Sequence, residues 1–125
     1  MRTDGRRYPR YTVRLPVEIR TGGDEQFSAT LENISLGGLE LSCDRWTAER
    51  ILPPGHQAFP GQPIGAEVRF AVPLAGGAER TVEIFGEIVV SRRLAQNEYR
   101  IGMQFVSFSG EASAVLDRYI ASRGG

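Results

Sequence analysis

The chain has no lysine: of its 125 residues, all fifteen cations are arginine, balanced by fifteen acidic residues to a formal charge of zero. That balance argues against the broad positive track on which nucleic-acid polymers bind. A GC-rich genome accounts for the arginine bias as a whole, but not for its placement. Cysteine is nearly absent too. Cys43 stands alone, so no internal disulfide can form, and a reducing compartment, the cytoplasm, is expected. Histidine is limited to His56, which has no second histidine or cysteine at metal-ligand spacing and reads as a solvated loop residue. No apolar run approaches the roughly 20 residues that cross a bilayer, so no membrane insertion is expected. The stretch Met1 to Arg10 also lacks the apolar core of a secretory leader. Nucleophile elbow, P-loop, dinucleotide fingerprint and H-E-x-x-H are all missing, so the expectation is a protein that is not an enzyme and needs no cofactor or metal.

What is present is alternation. Val13, Leu15, Val17 and Ile19 recur at every second position, which marks a half-buried first strand; Pro16, lacking an N–H, places part of it at an edge or out of a ladder bond. Thr21 to Asp24 reads as a hairpin turn. Phe27, Ala29 and Leu31 make a second strand that ends in a turn from Asn33 to Gly38, and Leu39, Leu41 and Cys43 make a third. On that parity Cys43 is a small core hydrophobe rather than a nucleophile.

From Asp44 to Gly65 the alternation breaks, and four of the seven prolines lie there. This predicts a long connection with one short helical turn near Trp46 to Ile51. Trp46 is assigned to capping the core in preference to stacking on a base. A fourth strand runs from Ala66 to Val72, followed by a turn at Ala75-Gly76-Gly77. A long fifth strand has Val82, Ile84, Ile88 and Val90 facing inward, interrupted at Gly86 by a bulge or bend. Tyr99, Ile101, Met103 and Phe105 make a sixth. After Ser109, a suitable N-cap, Ala112, Val115, Leu116, Tyr119 and Ile120 fall on one face of an amphipathic helix. The expected fold is all-β: a six-stranded antiparallel barrel over residues 12–108, led by an Arg-rich flexible arm (1–11) and closed by a C-terminal α-helix (109–122), forming one domain.

Two short constellations carry chemistry. Arg6-Arg7-Tyr8-Pro9-Arg10 lies ahead of the first strand without apolar periodicity. Arginine forks take phosphate oxygens bidentately, pair with the O6 and N7 edge of guanine and stack on purines. Taken alone, the cluster is also compatible with a solvated basic tail. In Asn33-Ile34-Ser35-Leu36-Gly37-Gly38 the polar side chains can hydrogen-bond a ligand, and the glycines let one approach the main chain, although the same residues also build an ordinary β-turn.

In this order and spacing the two resemble the signature of the PilZ domain family, R-x-x-x-R followed by [D/N]-x-S-x-x-G, matched by Arg6 and Arg10 and then by Asn33, Ser35 and Gly38. Leu15-Pro16-Val17, Gly102-Met103-Gln104-Phe105 and the closing helix extend the likeness to nearly the whole chain. The resemblance implies a PilZ-type barrel that binds the bacterial second messenger cyclic di-GMP, with Arg6, Arg7 and Arg10 wrapping the ligand and Asn33, Ser35, Gly37 and Gly38 meeting a guanine. It further implies a conformational switch and an unidentified downstream protein partner, in motility, polysaccharide export or transcription. Two departures stand out. The Asp44 to Gly65 connection is longer than usual and is a candidate partner surface. Gly5 occupies a position where arginine occurs in members that take an intercalated ligand dimer, which favours a single ligand unless Arg7 compensates. The competing readings are a divergent PilZ adaptor that binds protein without nucleotide, and a small β-barrel nucleic-acid-binding module.

Overall fold

Period-2 patterning decides which side of each strand turns inward, and in the computed structural model, which describes residues 9–22, 25–52 and 64–124, the inward sides close on one another. The strands are β1 (Tyr11–Arg20), β2 (Gln26–Ile34), β3 (Gly38–Cys43), β4 (Ile64–Pro73), β5 (Glu79–Ala95) and β6 (Glu98–Phe108). They form a closed antiparallel barrel in the order β1-β2-β3-β6-β5-β4. The helices are α1 (Arg45–Ile51) and α2 (Ala112–Gly124).

Leu31, Ile34, Leu39, Leu41, Val72, Val82, Ile84 and Ile101 are wholly buried in the barrel. Each such side chain contributes about 1.5–3 kcal/mol through removal from water. Ala112, Val115, Leu116, Tyr119 and Ile120 of α2 join the same core, so the helix stripe read from the sequence is the one that packs. The helix itself opens at Ala112, not at Ser109, whose carbonyl accepts a hydrogen bond from the Ala112 N–H at 3.0 Å.

Bulges set the exceptions to simple alternation. A register shift falls between Thr12 and Leu15, and Leu15, though on the inward parity of Val13 and Val17, is only partly buried. Pro16 lies beyond the β1–β4 ladder, which pairs only Glu18–Arg20 with Glu67–Arg69, so its missing N–H breaks no bond there. A shift between Phe85 and Gly86 produces the bend expected at that glycine, where a β-carbon would lie 2.8 Å from the Gln104 carbonyl oxygen. The next shift, between Ile88 and Val90, overturns one expectation: it rotates Val90 off the inward face, leaving it 42% exposed and lying across Gly102.

The predicted helical turn after β3 is α1. Asp44 caps it by accepting from the Thr47 N–H at 2.8 Å, and Thr47, Ala48 and Ile51 face the barrel. Trp46 falls off that face and does not cap the core. It is 55% exposed, with its ring edge-on to Phe27 and the Arg50 guanidinium 4.0 Å above it. His56 and the rest of residues 53–63 lie outside the described residues.

Candidate functional site

The β2–β3 turn is built by one serine. Ser35 is buried, and its Oγ accepts from the N–H groups of Gly37 at 3.1 Å and Gly38 at 3.2 Å while its own N–H donates to the Gly38 carbonyl at 2.9 Å. The turn is then pinned to β6, because the Phe105 N–H donates to the Gly37 carbonyl at 3.0 Å. Serine suits this task, since its short hydroxyl reaches main-chain groups two and three residues on. Its hydroxyl is thus committed to shaping the turn.

Asn33 is the last residue but one of β2 rather than part of the turn, and its partner across the β1 ladder is Thr12. That register carries Arg10, two residues before Thr12, alongside it. Arg10 Nη1 donates to Asn33 Oδ1 at 2.7 Å, joining the two motifs across 23 positions of sequence. Arg6 and Arg7 lie outside the described residues.

The other end of Asn33 reaches into a network that sequence reasoning missed. Asn33 Nδ2 donates to Glu40 Oε1 at 2.9 Å; Arg92 on β5 donates to Glu40 Oε2 at 3.0 Å, and Arg100 on β6 donates to Oε1 at 3.3 Å. Glu32 sits beside them, accepting from Ser42 Oγ at 2.6 Å and pairing with Arg14 at 3.6 Å and Arg100 at 3.9 Å. Burial raises the Glu40 pKa, but hydrogen bonds from Arg92 and Asn33 and the charges of Arg92 and Arg100 outweigh it, so the carboxyl is held below its ordinary value. Although alternation turns both outward from the barrel core, Glu32 and Glu40 are not solvent-facing: their side chains are only 12% and 14% exposed. The only hint in the sequence was the outward parity of Glu40 on β3 and Arg100 on β6; Arg92 sits at the parity read as inward on β5, and only the register, with its shift between Ile88 and Val90, shows that they meet.

Cys43 is partly buried and packed against the core; burial, then the Asp44 carboxylate, push its pKa up to about 11. Among the described residues no group of three or more acidic, cysteine or histidine side chains is placed to hold a metal. A groove of about 480 Å³ between β1 and β4, lined by Leu15, Pro16, Ala29, Arg69 and Thr81 among others, holds none of Arg10, Asn33, Ser35, Gly37 and Gly38 among its described residues. No described helix is long and apolar enough to cross a membrane.

A protein-family model described as PilZ domain matches residues 4–122. The chain belongs to the PilZ domain family. Solved structures agree with this PilZ barrel in fold. The PilZ domain with c-di-GMP of YcgR from Escherichia coli superposes with a TM-score of 0.64 at 14% identity, over 97% of this chain and 92% of that one. Bacillus subtilis MotI/DgrA, an inhibitor of motility, gives 0.68 at 18%, over 99% of this chain and 53% of its own. The K. pneumoniae MrkH–c-di-GMP complex gives 0.54 at 21%, over 98% and 57%. This PilZ chain therefore spans about half the length of MotI/DgrA and of MrkH. No curated protein matches its sequence.

Proposed function

We propose that this PilZ domain is a cytoplasmic receptor, not an enzyme, that binds cyclic di-GMP between the arm containing Arg6, Arg7 and Arg10 and the end of β2 with its following turn, which supply Asn33 and then Ser35, Gly37 and Gly38. The observation that carries this reading is the 2.7 Å hydrogen bond from Arg10 to Asn33, because it sets a phosphate-binding guanidinium beside a group able to accept from a base. The same dinucleotide is named with two relatives in fold, the YcgR domain and MrkH. Arginine forks take the phosphates, the Asn33 carbonyl oxygen takes the edge of a guanine, and Gly37 and Gly38 leave room for the ligand to approach the main chain. Binding draws the arm onto the barrel and creates a composite surface for a downstream protein, so that order in the arm is the signal.

Calorimetric titration with cyclic di-GMP, run beside a single-stranded oligonucleotide, tests this reading. The expected result is saturable heat at micromolar concentration and a raised melting temperature with the dinucleotide alone, since a ligand that binds only the folded state must stabilise it. Heat with the oligonucleotide alone would make the barrel a nucleic-acid module. No heat with either would leave a protein-binding adaptor.

A further inference from the structure

Asn33 has two chemically different ends, and each is already committed. Its Oδ1 accepts from Arg10 and its Nδ2 donates to Glu40. A guanidinium offers only donors and a carboxylate only acceptors, so no other orientation of the carboxamide satisfies both neighbours. The two constraints differ in strength. Arg10 is exposed and sits at the edge of the described arm, whereas Glu40 is nearly enclosed and is gripped from behind by Arg92 at 3.0 Å and Arg100 at 3.3 Å. If Arg10 turns away to a phosphate, Glu40 still holds the carboxamide with its oxygen outward.

We propose that Glu40, which lies outside the family signature, is a positioning residue that fixes Asn33 as a hydrogen-bond acceptor and so selects guanine over adenine at this turn. The proposal rests on the cyclic dinucleotide reading above. Guanine presents N1–H and N2–H donors on its Watson–Crick edge, and an outward carbonyl oxygen meets them. Adenine presents the N1 lone pair at the same place, and two acceptors face each other unpaired. A carboxamide free to flip would turn Nδ2 toward adenine N1 and lose the distinction, because discrimination comes from leaving a polar group without a partner when the wrong base enters. The order of command thus runs from arginines on β5 and β6, through a glutamate on β3, to the base-reading residue on β2.

Three variants test the assignment, each titrated with cyclic di-GMP and cyclic di-AMP. Glu40→Ala is expected to lower the preference for cyclic di-GMP roughly tenfold or more. Asn33→Asp combined with Glu40→Ala should restore it, since a carboxylate presents an acceptor whichever way it turns; a merely structural Glu40 would not be rescued by a change at position 33. In the free wild-type protein the Asn33 Nδ2 proton that faces Glu40 should exchange slowly with water and resonate away from the ordinary carboxamide position, and it should move in Glu40→Gln. Signals typical of a solvent-averaged carboxamide would overturn the positioning role even if Glu40→Ala failed to fold. Wild-type binding of cyclic di-GMP with an unchanged preference in a folded Glu40→Ala would overturn the assignment to Glu40 alone. A wild-type protein that binds neither dinucleotide would overturn the receptor reading and this selectivity together.

Discussion

Gly38 passes so close to Met103 that a β-carbon on it would lie 2.3 Å from the Met103 carbonyl oxygen. The two residues are near neighbours across the β3–β6 ladder, where Gly38 pairs with Gln104 and Leu39 with Met103. The clash is with main chain, which cannot swing aside as a side-chain tip can. Gly38→Ala is therefore expected to cost roughly 2–3 kcal/mol, at the upper end of overpacking substitutions. It should also displace the β2–β3 turn, so both the urea midpoint and ligand affinity should fall. A wild-type midpoint would mean that the two strands part easily here.

Ser35→Ala removes the single acceptor shared by the N–H groups of Gly37 and Gly38. Position 35 is buried, so water cannot readily replace the hydroxyl. The expected loss is about 1–3 kcal/mol, read as a lower urea midpoint with an unchanged m-value.

Arg6→Ala and Arg10→Ala should each weaken cyclic di-GMP binding severely, every lost charge-assisted contact being worth roughly 1.5–3 kcal/mol. The melting temperature of the free Arg10 variant should barely move, because the Arg10–Asn33 contact is exposed. Near wild-type affinity in both variants would place the ligand elsewhere on the barrel.

Acid should act on Glu40. Its folded-state pKa lies below the ordinary carboxylate value, so the stability it contributes is fully present above that value and is lost as pH falls through the depressed one. Glu40→Gln does not titrate. The gap in melting temperature between wild type and Glu40→Gln should therefore be widest near neutrality and narrow steadily as pH drops below the usual carboxylate range. A gap independent of pH would show that the charge of Glu40 adds nothing to the folded state.

Cys43, with its pKa pushed up to about 11, holds almost no thiolate at neutral pH. Native protein should react with a thiol-directed alkylating agent far more slowly than the same protein in denaturant. Equal rates followed by mass spectrometry would mean that the β3 end opens freely.

The strands and the α2 stripe were legible because alternation and the 3.6-residue period are local properties of a sequence, and the barrel interior enforces them. Val90 was misread because a bulge at Val89 reversed its parity, and nothing in Ile88-Val89-Val90 announces a bulge. Trp46 was misread because the orientation of a seven-residue helix is set by what Thr47, Ala48 and Ile51 pack against, not by its largest side chain. Arg10 and Asn33 could be picked out by motif. Glu40 could not, since the arginines that hold it lie 52 and 60 positions away, and register alone brings them to its carboxylate.

The brevity of the β1–β4 ladder bears on how the ring comes apart. Three residue pairs close the barrel there, against ten between β4 and β5. The short ladder joins Glu18 to Arg69, distant partners whose meeting carries the loop-closure cost of the intervening chain. Native-state hydrogen exchange should accordingly find its lowest-energy opening at this junction, releasing those amides of Glu18 to Arg20 that face β4 while the β4–β5 ladder stays protected. The strand that follows the arm would then belong to the least cooperative unit of the fold, and a ligand that clamps the arm to β2 should slow exchange along β1 beyond the residues it touches.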